Sequence, residues 1–354
     1  VLILGIETSC DETSAAVVED GRLVYSNVIS SQIDSHAPYG GVVPEIASRQ
    51  HALAIGYVVN LALHEAGVSE EVLGAVAPTY GPGLAGALLV GLSFARGLAL
   101  GLGVPLLPVN HLEGHLHSIW LANCLPLPPE PELPIMALIV SGGHTELVLV
   151  RGHGAYHVIG RTLDDAAGEA FDKVGRILGL PYPGGPAIQR ASASATDPVL
   201  FPRAWLPGTF DFSFSGLKTA ALHRAYEVSS GRSAHELRGT ALPRVDLAEN
   251  LSSEQVANLA GGFEESVVDV LVTKTIAAAE SHDTHSIAVV GGVASNRALR
   301  KRFETSSRLH VHIPAPEFST DNAAMIAGAA YFLRRPAQNV DVSPALSLPS
   351  GGTP

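Results

Sequence analysis

Apolar runs broken by short polar turns occur in two blocks of the chain, and both blocks follow one plan. The first block reads Val1–Thr8, a turn at Ser9-Cys10-Asp11-Glu12, then Thr13–Val18, a turn at Glu19-Asp20-Gly21, then Arg22–Ser30. Such runs, bounded by polar turn residues, predict three strands joined by hairpins. The second block starts about 134 positions later, with Ile135–Val140, Ser141-Gly142-Gly143-His144, Thr145–Val150, Arg151-Gly152-His153-Gly154 and Ala155–Arg161. The residues differ while the strand–turn–strand–turn–strand order repeats, which indicates a duplicated three-stranded unit rather than a short-period solenoid. The proline-rich stretch Leu125–Pro134 reads as the linker between the copies.

Helical patterns follow each block. The first half predicts a helix from Glu45 to His64, stopped by Gly67. A short strand, Gly74–Pro78, enters the turn Thr79-Tyr80-Gly81-Pro82-Gly83 and an apolar helix, Leu84–Leu100; Val104–Val109 is a further strand. The greasy run Leu84–Leu107 contains Ser93 and Arg96 and ends in glycine and proline, so a buried helix plus strand fits it better than a membrane span. The second half predicts helices at Asp165–Leu178 and Ser253–Glu280, with an aromatic–polar alternation, Phe210–Lys218, entering another. A buried strand, Ser286–Val290, leads through Gly291-Gly292-Val293-Ala294-Ser295-Asn296 into a helix at Arg297–Phe303. Asp321 or Asn322 would cap a last helix ending near Arg334. Residues 227–250 read as a polar surface excursion, and the tail after 335 as loose.

Composition narrows the function. A chain of 354 residues, 46% hydrophobic, suggests two domains or one large one. Its 36 glycines point to tight turns and close backbone approaches, as nucleotide binding needs. The net charge of −12 argues against a protein that coats nucleic acid nonspecifically. The basic run Arg297, Arg300, Lys301, Arg302 is either a solvated helix face or a local phosphate contact. Two cysteines, Cys10 and Cys124, stand in no metal or redox spacing, which suggests a reducing compartment. The apolar N-terminal run lacks a basic n-region and reads as a strand rather than a signal peptide.

The candidate chemistry centres on Asn110-His111-Leu112-Glu113-Gly114-His115-Leu116-His117. On a helix, positions four apart lie about 40° apart on one face, so His111 and His115 can share a metal ion while His117 points away. The pattern is not H-E-x-x-H, because Glu113 falls opposite the pair and no metalloprotease base is supplied. Spacing alone leaves a histidine-rich surface turn equally open. Asn110 is a helix cap, and Glu113 would complete a capping box. Two Gly-rich turns at helix starts, Thr79–Gly83 and Gly291–Asn296, suit anions. Asp164 and Asp165 sit near a helix start, where the dipole favours acids; Asp172 lies too far along for that explanation. His51 reads as a lone exposed histidine.

The duplicated plan resembles the actin-like ATPase superfamily, an α/β fold in which nucleotide sits between two similar lobes. More specifically, Ile6-Glu7-Thr8-Ser9-Cys10-Asp11-Glu12-Thr13, Gly81-Pro82-Gly83, the His111/His115 pair, Val140-Ser141-Gly142-Gly143-His144-Thr145, Ala167–Lys173, Tyr182-Pro183-Gly184-Gly185-Pro186, Phe212–Lys218, Gly291–Asn296 and Thr320–Met325 resemble, in order, the TsaD family (Kae1/Qri7, Gcp) of tRNA threonylcarbamoyl transferases. The Phe-Ser-Phe-Ser-Gly-Leu-Lys segment looks most like the bacterial branch.

The resemblance implies lobes at 1–133 and 134–334, with the last helix near 321–334 packing back on the first lobe and a flexible tail at 335–354. It implies His111, His115 and Asp321 as metal ligands, with iron favoured and zinc possible. It implies Ile139, Val140, Ser141, Gly142, Gly143, Asp172, Gly185 and Asn296 as contacts to ATP, ADP or threonylcarbamoyl-AMP. The implied reaction carries the threonylcarbamoyl group to N6 of the adenosine beside the anticodon, in tRNAs reading codons that begin with A. No general base is named by the sequence; His144 and Glu12 are candidates. Implied partners are tRNA, a TsaB-like paralogue, a TsaE-like ATPase and a separate adenylate-forming synthase, in the cytoplasm. Rival readings are a small-molecule O-carbamoyltransferase on the same fold and an ATP-binding scaffold or chaperone.

Overall fold

The computed structural model describes residues 1–231, 247–337 and 339–349. Of the stretch expected as a polar excursion, 232–246 lies outside the described residues, while 227–230 completes a helix.

The first half contains β1 (Leu2–Glu7), β2 (Glu12–Glu19), β3 (Leu23–Ser31), the short α1 (Ile33–His36), α2 (Pro44–Ala66), β4 (Ala75–Gly81), α3 (Ala85–Leu102), β5 (Val109–Asn110) and α4 (His111–His117). The second contains β6 (Ile135–Val140), β7 (Thr145–Gly152), β8 (Ala155–Arg161), α5 (Ala167–Ile177), α6 (Gly184–Ser192), α7 (Ser215–Ser230), α8 (Ser253–Ser281), β9 (Ser286–Val290), α9 (Arg297–Ser306), β10 (His310–His312), α10 (Pro316–Ser319) and α11 (Ala323–Leu333). The strands form two five-stranded sheets, ordered β3-β2-β1-β4-β5 and, read the same way, β8-β7-β6-β9-β10. In each, three strands are antiparallel and two more add in parallel. The duplication seen in the apolar pattern is therefore a duplication of topology. The strand predicted at Val104–Val109 shrinks to Val109–Asn110, with one isolated bridge at Leu106.

Side chains alternate across each sheet, and the alternation decides what each face meets. In β1, Leu4 and Ile6 pack with Val58 and Val59 of α2 and Leu92 and Ala95 of α3. Ile3 faces the other way, against Met325, Ile326 and Ala330 of α11. Gly5 shares that face, where a Cβ would collide with the Ala323 carbonyl, so only glycine lets α11 lie this close. In β6, Met136, Leu138 and Val140 pack with α5 and α8. Ile135, Ala137 and Ile139 pack with Leu112 and Leu116 of α4.

The short histidine helix therefore lies at the seam. Its leucines join the core of the second sheet, while Gly114 lies against Met325 and Ile326 of α11, which belongs to the first. Helix α3 is long and apolar enough to cross a membrane by composition, yet Ala87, Leu88, Leu92, Ala95 and Ala99 are buried within the protein.

The stretch after 335, expected to be loose, is held in its described part. Ser343 N–H donates to the Tyr80 carbonyl (2.8 Å), Gly83 N–H to the Pro344 carbonyl (3.1 Å) and Asn110 Nδ2 to the Ser347 carbonyl (2.9 Å). Leu348 is buried beside α4. A polar, Pro-rich segment carries no apolar period, so this docking through backbone groups leaves little trace in sequence.

Candidate metal centre and cleft

All seven residues of α4 are buried, including three histidines and a glutamate. Asn110 caps it: its Oδ1 accepts from Leu112 N–H at 2.8 Å. The predicted capping box does not form. Glu113 instead receives Arg335 Nη1 on both carboxylate oxygens, at 3.1 and 3.0 Å, because a buried carboxylate is better matched by a cation than by a backbone N–H. His117 turns away from the other two. Its Nδ1 donates to the Glu113 carbonyl (2.7 Å), Nε2 meets His153 Nδ1 (3.0 Å), and Phe332 stacks on it. Burial pushes the His117 pKa down to about 3, so this seam histidine is neutral.

His111 and His115 do share a face, their rings edge-to-face at 4.6 Å. The last helix is capped by Asn322, whose Oδ1 accepts from Met325 N–H at 3.0 Å. That leaves Asp321 free to face the pair. Its Oδ1 lies 3.1 Å from His115 Nε2 and 3.6 Å from His111 Nε2, and three ligand atoms from these residues fall within 4.8 Å of one another.

Two observations fit a metal ion here. Both ring nitrogens of His115 are buried without a hydrogen-bond partner, although Asp321 is near. Close approach without hydrogen-bond geometry is what ligands aimed at a common third point would show. The donor set, two imidazoles and a carboxylate, is one that iron and zinc accept. In the protein without metal, burial disfavours the His111 cation, but Asp321 and Glu7 outweigh it and raise its pKa to about 9. Asp321 is driven up by burial and pulled further down by His111 and His115, ending well below the carboxylate range. Both shifts have one cause, the attraction of a buried pair of acids for positive charge at this point.

Of the two base candidates, His144 sits near the triad, with burial and the His111 and His115 charges lowering its pKa to about 4. Glu12 is pushed up to about 10, by burial first and then by Asp11. It carries a proton at neutral pH.

The predicted nucleotide contacts gather around the opening of the second sheet. Ile139 and Val140 end β6, and Ser141, Gly142 and Gly143 form the turn after it. Gly142 and Gly143 are exposed, and a Cβ on either would meet nothing within 4 Å. Gly185, in the first turn of α6, and Gly292 also face open space. Gly291 does not: it has φ +96° and lies against the Val140 carbonyl, tying the two turns together. Asp172 Oδ1 accepts from Gly184 N–H (2.7 Å) and lines a pocket of about 190 Å³ with Tyr182, Arg176, Ala37 and Gly40. Burial, with Asp11 adding, raises its pKa. Asn296 caps α9 through Leu299 N–H (2.9 Å) and gives its amide to Glu264 (2.6 Å), so both its polar ends are engaged.

Several residues take roles that sequence did not suggest. Asp164, placed near α5 for the dipole, instead accepts from the N–H groups of Phe214 and Ser215 at the start of α7. Asp165 binds Lys173. His51 is buried and holds Thr13 and the Cys10 carbonyl. The basic run is half consumed: Arg300 donates to the Ala294 and Pro314 carbonyls, and Arg302 pairs with Asp269. Glu7, Glu264 and Arg335 were missed as site residues; an acid ending an otherwise apolar strand was the available signal for Glu7.

Comparison with known proteins identifies the family and the fold. The family model described as TsaD, tRNA N6-adenosine threonylcarbamoyltransferase, matches residues 23–328. The chain is 53% identical over 350 residues to the tRNA N6-adenosine threonylcarbamoyltransferase of Thermomicrobium roseum, covering 97% of this chain and 94% of that protein. It is 50% identical over 333 residues to the protein of the same name from Halalkalibacterium halodurans, covering 93% and 90%. Among solved structures, HypF of T. kodakarensis aligns with a TM-score of 0.56 at 14% identity, over 94% of this chain and 48% of that one. Component A of the Acidaminococcus fermentans (R)-2-hydroxyglutaryl-CoA dehydratase aligns with a TM-score of 0.51 at 14% identity, over 94% and 98%. These structural likenesses bear on fold alone, and the fold is that of the actin-like ATPases. By sequence over nearly its whole length, the chain belongs to the TsaD family.

Proposed function

We infer that this chain transfers the threonylcarbamoyl group from threonylcarbamoyl-AMP to N6 of the adenosine beside the anticodon, in tRNAs reading codons that begin with A. The observation that carries this reading is the convergence of His111, His115 and Asp321, whose charges are felt by His144 at the end of the open glycine turn. A bare ATP-binding scaffold has no use for that convergence. In the reaction a C–N bond forms to the adenine amine, the mixed-anhydride C–O bond breaks, AMP leaves, and the amine gives up a proton.

The chain's own groups divide the work. The backbone of Ser141–Gly143 and Gly291–Gly292 approaches the nucleotide, and Asp172 takes a hydroxyl or amine of the donor. His144 is neutral and can accept the amine proton, while Glu12, already protonated, serves as a hydrogen-bond donor. His111, His115 and Asp321 hold a divalent ion, iron in preference to zinc, which when bound supplies Lewis acidity toward the phosphate or carbamoyl oxygen. The halves 1–133 and 134–334, with α11 packed back on the first, act as two lobes with the donor between them.

Exposed Leu53 and Tyr57 on α2, with Leu89 and Leu100 on α3, offer an apolar surface for a TsaB-like paralogue. A TsaE-like ATPase and a separate synthase complete the cytoplasmic system. Arg297 and Lys301, the part of the basic run left to solvent, contact tRNA. The test supplies labelled threonine, bicarbonate, ATP, the synthase, both partners and unmodified tRNA. Label in tRNA with the wild-type protein, lost with His111→Ala, supports the reading; label that reaches only a small molecule refutes it.

A further inference from the structure

Two histidines serve the proposed metal centre, but only one is braced. Among the described residues His115 Nδ1 is buried with no partner. His111 Nδ1 faces a carboxylate: Glu7 Oε2 lies 3.0 Å away. Glu7 is the last residue of β1, wholly buried, on the same face of the strand as Ile3 and Gly5. Its other contacts are donors too. Ser9 N–H donates to Oε1, and Thr79 Oγ1 donates to Oε2 at 2.7 Å. The Ser9 N–H can only donate, so Oε1 accepts, and an ionised carboxylate held this way can only accept at Oε2 as well.

We propose that Glu7 is a positioning residue that holds His111 as the Nδ1–H tautomer, with the Nε2 lone pair aimed at the point shared with His115 and Asp321. The proposal rests on the metal reading and adds to it the group that sets one ligand's proton and ring angle. Ser9 Oγ also lies 3.2 Å from His111 Nδ1, but a hydroxyl can donate or accept and therefore permits either tautomer. Only the carboxylate excludes the wrong one. Charge gives a second reason. Asp321 and Glu7 together carry the two negative charges that a divalent ion needs as balance within a buried site. The unbraced His115 is instead held by packing, with no exposed surface.

The test compares metal-stripped wild-type protein with Glu7→Gln, Thr79→Val and Ser9→Ala. Zinc affinity is read by calorimetry. The His111 tautomer is read from long-range proton–nitrogen correlations of histidine-labelled protein saturated with zinc, because the metal-free imidazole is held protonated on both nitrogens, and the folded fraction from the melting curve. Glu7→Gln keeps the shape of the side chain and loses the charge. Its zinc affinity should fall roughly 10–100-fold, and His111 should lose its single Nδ1–H pattern. Thr79→Val, which leaves Glu7 in place with one fewer donor, should give a loss in the same direction of a few-fold, and it carries the test if Glu7→Gln fails to fold. Ser9→Ala should stay within about twofold. Glu7→Gln with wild-type affinity and an unchanged tautomer overturns the proposal, as does a Ser9→Ala loss equal to that of Glu7→Gln; where Glu7→Gln does not fold, unchanged affinity in Thr79→Val overturns it. A wild-type protein that takes up no zinc overturns the metal reading itself, a different failure from uptake that Glu7→Gln retains.

Discussion

The two sheets share one topology, and the turns that follow their first strands could hardly differ more in chemistry. β1 and β6 are both six residues long, so Glu7 and Val140 occupy the same place. After Glu7 the chain enters an acidic, largely buried turn, in which Ser9 and Asp11 are covered and Glu12 holds a proton. After Val140 it enters Ser141-Gly142-Gly143-His144, whose glycines stand open to solvent. One turn stores charge next to α4, and the other keeps backbone clear. The duplication thus supplied a scaffold twice, and on the proposed function substitution at equivalent places split the work between a metal side and a nucleotide side. The helix carrying the histidines lies where both can reach it.

The strongest way to break this division is to remove a metal-side ligand. His115→Ala should lower threonylcarbamoyl transfer by more than about 100-fold and abolish bound metal, while nucleotide affinity stays near wild type in equilibrium binding. Parallel loss of both would mean the two sides are not separable. Next in size is the nucleotide side. Gly291→Ala puts a Cβ at φ +96° against the Val140 carbonyl and should cost roughly 1–3 kcal/mol in denaturant unfolding. Gly143→Ala, in open space, should leave stability within about 0.5 kcal/mol. If the two alanines cost the same, the contrast between a tied and an open glycine is wrong.

The seam gives a pH test. His117 ionises near 6.5 when free and near 3 in the fold, because burial penalises its cation. Between those values the unfolded chain binds the extra proton, so stability falls as pH drops from about 6.5 toward 3 and is fully present above 6.5. His117→Phe should flatten part of that slope, by up to about 1.4 kcal/mol per pH unit, in melting curves taken across the range. An unchanged slope would place the acid sensitivity elsewhere. The smallest effect concerns the basic helix. Lys301→Ala should weaken tRNA binding a few-fold and reduce the salt slope by about one unit, with no loss of stability; no change in either removes α9 from the tRNA surface.

Much of this molecule was legible in its residues. The duplicated strand plan, the Asn110 cap and the i, i+4 histidine pair all follow from local periodicity, and local periodicity is written in adjacent residues. Where the reading missed, a distant partner had outbid a near one. Glu113 left its own helix terminus for Arg335, 222 positions away, and Asp164 capped a helix about 50 positions on. The tail after 335 looked loose because what anchors it are its own backbone groups at Ser343, Pro344 and Ser347, bonded to Tyr80, Gly83 and Asn110.

The sequence by itself determined two copies of one strand unit, a face with His111 and His115 on it, and through its motifs the family. Only the tertiary structure decided that Asn322 rather than Asp321 caps the last helix, that Glu7 stands behind His111 while no described residue bonds His115 Nδ1, and that α4 lies between the two sheets. The reason is physical. Helix and strand periods depend on neighbours a few residues apart. The direction of a buried carboxylate depends on which donors the whole fold brings within about 3 Å of it, and no local pattern records that.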